Sequence, residues 1–167
     1  VIDDEDDMAD DYRRNFGEEH IVTFCKQEAV DRADTMDNLD EHRAILYARN
    51  ESFRIARDLG LKYFLMLDDE TDFLFRFPEG KKMASKTPRG KTLERIFEAM
   101  LGFLDASGAA TVAFAQGGDF IGGLRGGNFK KRLLRKAMNS FFCRVDRPIQ
   151  FRGTMNEDVT TYTTLGT

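Results

Sequence analysis

The segment Tyr63-Phe64-Leu65-Met66-Leu67-Asp68-Asp69-Glu70 restricts the folds open to this chain more than any other. Five apolar or aromatic residues run without a break, and three carboxylates follow with no spacer. So apolar a run reads as a strand buried on both faces, the pattern of a parallel sheet. The acids then stand where the strand leaves the core. In open α/β folds ligands bind in the crevice at the carboxyl ends of the strands. Three carboxylates there repel one another unless a positive group lies among them. Their hard oxygens suit Mg²⁺ or Mn²⁺, ions usually held by one or two carboxylates plus substrate phosphates. The plainer reading of a strand followed by two acids is a solvated turn. The residues on either side tip the balance toward a metal-assisted site at Asp68, Asp69 and Glu70.

Strand and helix patterns alternate along the chain, which predicts βαβ units and a mainly parallel sheet. A strand stub at Val1–Asp3 precedes a helix near 5–16, with Met8, Tyr12 and Phe16 on one face and Gly17 as its stop. A strand follows over 20–25, then a polar loop over 26–38. The next helix, capped by Asn38 or Asp40, runs to about Leu59 and ends at Gly60. Beyond the acid-bearing strand comes a second strand over 72–77, then a basic Gly/Pro-bounded stretch at 78–90 that reads as a mobile flap. A helix over 92–106 and a strand over 111–115 lead into Gln116–Asn128, where six of thirteen residues are Gly. Residues 130–138 read as a helix, 140–145 as a strand, and 156–165 as a helix or strand.

The chain has 167 residues, 41% hydrophobic and 32% charged, with fifteen Phe and no Trp, which supports one ordinary globular core. No stretch approaches 18 apolar residues, so no membrane span is expected. Two cysteines, Cys25 and Cys143, are too few for a disulfide framework and fit a reducing cytoplasm. Val1-Ile2-Asp3 reads as the tail of a strand, so the expectation is one domain over 1–167, incomplete at both ends. The formal net charge of −4 hides an asymmetry. Residues 1–41 carry fifteen acids and four bases, net −11, while residues 42–167 are net +7. A basic body favours a polyanionic partner, although acids on exposed helix faces produce the same asymmetry.

Three further constellations carry chemistry. Arg49-Asn50 lies ahead of Gly60 and the acidic strand, an order that resembles the sugar-nucleotide half of GT-A glycosyltransferases. The alternative is a surface Arg and a buried amide bonded to a neighbouring loop. The glycines of Gln116-Gly117-Gly118-Asp119 would let backbone approach a ligand after a strand. That loop is not GxGxxG, and no helix opens where a dinucleotide site needs one. We read it as lining a sugar or acceptor pocket. Glu157-Asp158 follows Phe151-Arg152-Gly153-Thr154. The pair either supplies a general base or sits as helix N-terminal charge.

Taken in order, Tyr47–Asn50, Tyr63–Glu70, Gln116–Gly123, Arg135–Phe142 and Gly153–Tyr162 resemble the TET-associated glycosyltransferases over nearly the whole chain. Where that pattern carries three Asp, this chain has Asp68-Asp69-Glu70, which keeps the charge and alters its reach. The resemblance implies a GT-A-like α/β fold, with a Rossmann-type, mainly parallel sheet flanked by helices. It implies a phage enzyme of the infected host's cytoplasm that glycosylates hydroxymethylated pyrimidines such as hydroxymethylcytosine in DNA. A UDP-sugar would be the donor and Mn²⁺ or Mg²⁺ the cofactor. Arg49, Asn50, Asp68, Asp69, Gln116, Gly117 and Gly118 would bind the nucleotide sugar. Asp68, Asp69 and Glu70 would hold the metal, and Asp158, Glu157 or Asp119 would serve in catalysis, with Asp158 the better base.

The basic residues suit that acceptor. Lys131, Arg132, Arg135 and Lys136 lie largely on one side of the 130–138 helix, and Lys81, Lys82, Lys86, Arg89 and Lys91 add more charge. Such groups neutralise backbone phosphates without reading sequence. An enzyme acting on a base must flip it or take it single-stranded, and Phe120 or Phe151 could then stack on it. Two other readings compete. In a metal-dependent nuclease or integrase-like enzyme, Asp68, Asp119 and Glu157 would meet around two metals. A non-catalytic module binding nucleotide or DNA would keep the fold alone.

Overall fold

A computed structural model describes residues 1–36, 45–67, 73, 75–79, 82–115 and 140–165, with 75–79 and 82–85 as backbone only. The chain divides into two compact units, one of residues 1–62 with 145–167 and the other of residues 63–144. No described helix is long and apolar enough to cross a membrane.

The first unit opens with β1 (Ile2–Asp3), α1 (Ala9–Phe16) and β2 (Thr23–Phe24), and the two short strands pair in parallel. Asp4 ties β1 to α2 (Lys26–Arg32), its carboxylate accepting the Lys26 backbone N–H at 2.8 Å. That bond holds the Asp4 carboxyl below the usual carboxylate range. Helix α2 occupies part of the expected polar loop. Its sequence lacks an apolar stripe, and only Ala29 is buried. Side-chain pairs one turn apart, Glu28–Arg32 and Gln27–Asp31, support it instead.

Helix α3 (Leu46–Asp58) buries Leu46, Tyr47, Phe53, Ile55 and Ala56. Gly60 ends it as expected, at φ +67°, with its N–H donating to Arg57 O and the Leu61 N–H to Ala56 O. The Met8–Tyr12–Phe16 face of α1 differs from expectation. All three side chains are exposed, and Tyr12 stacks on Phe16 with centroids 6.4 Å apart. Residues 145–167 complete this unit and end in α5 (Glu157–Leu165), which buries Thr161.

The second unit contains β3 (Tyr63–Leu67), β4 (Phe75–Glu79), β5 (Lys82–Lys86), α4 (Lys91–Ser107), β6 (Thr111–Ala113) and β7 (Ser140–Arg144). Its main sheet has the order β3-β7-β6. The reversed β7 lies antiparallel to both neighbours, so β3 and β6 run the same way with β7 between them. The expected mainly parallel sheet is therefore not what the described strands form, since only β1–β2 pairs in parallel. Alternation of strand and helix shows which elements exist but not their direction, because a long connection can return a strand either way. The expected flap at 78–90 is instead partly the hairpin β4–β5, in register from Phe75↔Lys86 to Glu79↔Lys82. The two residues between Glu79 and Lys82 begin with Gly80, the sequence signature of a tight hairpin turn. Pro78 is tolerated because this two-stranded ribbon consists of edges.

Candidate functional site

In the second unit the sheet gathers several chain segments at one end. Leu67, the last residue of β3, is paired with Ser140, the first of β7. On the other side of β7, the Phe114 N–H donates to Ser140 O at 3.0 Å, just past the end of β6. The ends of β3 and β6 thus flank the start of β7, about 10 Å apart by two interstrand spacings. Asp68 follows the first end directly, Gln116 follows the second by way of Phe114 and Ala115, and the basic run 130–136 leads into Ser140. Leu67 is exposed, so β3 delivers the chain to the rim of the sheet and not into its core.

Helix α4 fixes the other end. Asp105, near its last turn, accepts the Tyr63 hydroxyl and lies 3.7 Å from Arg144. Those two residues are the start of β3 and the end of β7. Helix α4 and β6 are joined by a short connection, so α4 starts beside the end of the sheet where β3 and β6 finish. Phe97 of α4 packs edge-on against Phe142 at 5.3 Å and Phe73 at 5.8 Å, and Phe73 lies 4.8 Å from Phe114. This aromatic cluster stands beside the two strand ends. The abundance of Phe was its only signal in the sequence, since its members are scattered along the chain.

In the first unit, Arg49 and Asn50 lie side by side on α3 and both engage the stretch that leads into α5. Arg49 Nη1 donates to Glu157 Oε1 at 2.8 Å, and its guanidinium lies 5.3 Å from the centroid of the Phe151 ring. Asn50 closes two bonds with one residue, accepting the Phe151 N–H at 2.8 Å and donating to Phe151 O at 3.0 Å. An amide that satisfies both backbone groups of a buried residue acts like a strand neighbour. Gly153 turns the chain next at φ +77°, where a Cβ would meet Met36 Sδ at 3.3 Å. Asp158 stands in the first turn of α5, with its Oδ1 accepting the Val159 N–H at 2.7 Å.

The Arg49–Glu157 pair is largely removed from water, with side chains 12% and 14% exposed. Removing one partner of such a pair strands a charge, which typically costs about 3 kcal/mol or more. Arg49→Met should accordingly lower stability by about that amount in urea titration, and adding Glu157→Gln should recover much of it. A single-variant loss under ~0.5 kcal/mol would mark the pair as surface-like.

A second buried carboxylate, Glu51, joins α2 to α3. It accepts Arg32 Nη2 at 2.8 Å and Arg54 Nε at 2.5 Å, and these bonds hold both guanidinium groups firmly in the charged form. Its position within an otherwise apolar helix face was the signal available for it in the sequence.

Arg49, Asn50 and Glu157 come together around Phe151, and Asp158 follows on α5. Glu157, which a nuclease would need as a metal ligand, is paired with Arg49. Phe151 is 1% exposed beneath that guanidinium, so it cannot stack on a base as expected from sequence. Asp68, Asp69, Glu70, Gln116, Gly117, Gly118, Asp119, Phe120, Lys131, Arg132, Arg135 and Lys136 lie outside the described residues. Among the described residues no cluster of three or more His, Cys, Asp or Glu side chains could hold a metal. The donor set at Asp68–Glu70, three carboxylates directly after an exposed strand end, is chemically suited to a hard divalent ion.

No curated protein and no solved structure matches the chain. The family model for TET-Associated Glycosyltransferase matches residues 1–167, the whole length, and that family implies a glycosyltransferase. The chain belongs to the TET-Associated Glycosyltransferase family.

Proposed function

We propose that this glycosyltransferase moves a sugar from a nucleotide-diphosphate donor, a UDP-sugar, to a hydroxymethylated pyrimidine in DNA, with a divalent ion on the diphosphate. The observation that supports this reading is the shared end of the β3-β7-β6 sheet. Leu67, Phe114 and Ser140 meet there, and in the sequence the acids 68–70 follow the first, the glycine-rich stretch 116–123 follows the second, and the basic run 130–136 precedes the third. Asp68, Asp69 and Glu70 would hold Mn²⁺ or Mg²⁺. When bound, the ion neutralises charge developing on the departing diphosphate. The Gln116–Gly118 backbone would approach the donor. A GT-A-like enzyme would hold its donor at such strand ends, where ligands gather in α/β sheets.

In an inverting transfer the acceptor hydroxyl oxygen forms a bond to the anomeric carbon. The bond from that carbon to the diphosphate oxygen breaks, and the diphosphate leaves with the electron pair. The hydroxyl proton passes to a carboxylate. We assign that part to Asp158, whose shorter arm at the second position matches the Glu-Asp pair of similar enzymes, while Glu157 bonds Arg49. Arg49 and Asn50 then act through the Phe151–Glu157 stretch that they hold in place. Incubating the protein with labelled UDP-sugars, Mn²⁺ and hydroxymethylated DNA tests the proposal. Sugar incorporation is expected. Strand cleavage would select a nuclease, and neither product a binding module.

The cations of residues 131–136 are proposed to neutralise DNA phosphates without reading bases. Reversing Lys131, Arg132 and Arg135 together to Glu should weaken DNA binding and lower the log–log salt slope by about 2 to 3, near 0.9 per lost phosphate contact. Wild-type affinity and slope in that variant would remove these residues from the interface.

A further inference from the structure

Within the second unit a cleft of about 680 Å³ opens between α4 and the end of β6, lined by Ile96, Met100, Phe103, Val112 and Phe114 with Arg95 among them. That volume lies in the range of small-ligand sites, which pair an apolar lining with a few polar groups. Helix α4 presents one face to it, since Arg95, Ile96, Ala99, Met100 and Phe103 recur at helical spacing. Two aromatic rings stand at the cleft. Phe103 is 62% exposed. Phe114 is braced by Phe73, Phe97 and Phe142, at 4.8, 6.0 and 6.4 Å. A ring braced on several sides is a rigid wall, suited to stacking at little entropic cost.

Among the described residues the charged rim is one-sided. Arg95 is exposed on the lining face, and exposed Arg89 and Lys91 come just before it at the start of α4. Glu94 and Glu98 are not on that face. The dipole of α4, whose N-terminus carries no side-chain cap, adds positive potential to the same end. An apolar floor with ring walls and a cationic mouth matches a molecule with a planar ring at one end and phosphate at the other. A lipid-like ligand would leave the cations unused, and a free phosphate would leave the floor unused.

We infer that the α4–β6 cleft binds the ring of a pyrimidine nucleotide, stacked against Phe103 and Phe114 with its phosphate toward Arg95. The mouth of the cleft opens beside Ala113, Phe114 and Ala115, at the sheet end from which the proposed donor-binding loop departs. The inference rests on the sugar-transfer reading only for the origin of the ring, which is either the donor's uracil or the acceptor base in DNA.

The test uses the whole chain and two probes, UDP and a short single-stranded oligonucleotide of dT and dC, followed by titration calorimetry and fluorescence anisotropy. Phe103→Ser removes an exposed ring, Arg95→Glu reverses the charge at the mouth, and Ala99→Phe fills the cleft while deleting nothing. Thermal unfolding checks that each variant remains folded. Each should weaken at least one probe by about tenfold, the usual effect of losing one base-stacking ring. Loss for UDP alone identifies the donor base, and loss for the oligonucleotide alone identifies the acceptor. Unchanged binding of both probes in Phe103→Ser and Ala99→Phe would overturn the proposal, as would failure of the wild type to bind either. If these variants transfer sugar normally while Asp68→Asn does not, the cleft assignment falls and the sugar-transfer reading stands.

Discussion

Asp68→Asn should cut sugar transfer by roughly 10²–10³-fold, the scale set by loss of one group that stabilises developing transition-state charge. It should also remove the dependence of nucleotide binding on Mn²⁺. The change is nearly isosteric, and the preceding residue, Leu67, is exposed. Unfolding by heat or urea should stay within about 0.5 kcal/mol of wild type. Glu70→Gln should produce the same pattern, and Asp69→Asn a weaker one, because ions of this kind usually take one or two protein carboxylates. The discriminating measurement is nucleotide affinity with and without Mn²⁺. If Asp68→Asn binds UDP in Mn²⁺ as tightly as wild type, the acids do not hold a metal-bound diphosphate, and they revert to a solvated turn.

How much of this was legible in the sequence differs from element to element. The position of strand β3 could be read because five apolar residues meeting acids leave few alternatives, but not its setting: none of its residues is fully buried, Leu67 is exposed, and its described partner β7 is antiparallel. The C-terminal bound of α3 and both bounds of α4 were nearly as clear, since apolar stripes run up to Gly60 in one and between Gly90 and Gly108 in the other, whereas the expected caps of α3 at Asn38 or Asp40 lie outside the described residues. Helix α2 was not, because its stability comes from Glu28–Arg32 and from docking onto Asp4. Periodicity cannot report contacts of that kind. The direction of β7 was equally hidden, since Ser140–Arg144 pairs with residues distant in sequence on both sides.

For the candidate site the limit is chemical. The sequence offered Arg49 as a donor-binding residue and Glu157 as a base. Yet each is also the best available partner for the other's charge, and only the packing of α3 against the α5 approach brings them to 2.8 Å. Asn50 shows the same ambiguity. An amide next to an Arg looks like a ligand-binding pair, but its two hydrogen-bonding ends are both taken by Phe151. A buried Phe151 could not be told from an exposed stacking ring by residue type alone, because the same side chain serves either purpose.

Asp158→Asn should lower turnover by about 10²–10⁴-fold, the usual contribution of one general base, while nucleotide binding changes little. A base acts only after donor and acceptor are in place, so its removal appears in the rate and not in affinity. Glu157→Gln should behave differently. Its carboxylate accepts Arg49 Nη1 inside a largely buried pair, so the main loss expected is stability. Measuring both variants by single-turnover transfer and by urea unfolding separates the two roles. The Asp158 variant should be slow and stable, the Glu157 variant destabilised but faster than Asp158→Asn wherever it is folded. The opposite pattern would make Glu157 the base. If neither variant slows transfer, Asp158 serves only the first turn of α5, where its Oδ1 accepts the Val159 N–H and its charge favours the helix N-terminus. The proton would then pass to another carboxylate, with Asp119 the next to be changed.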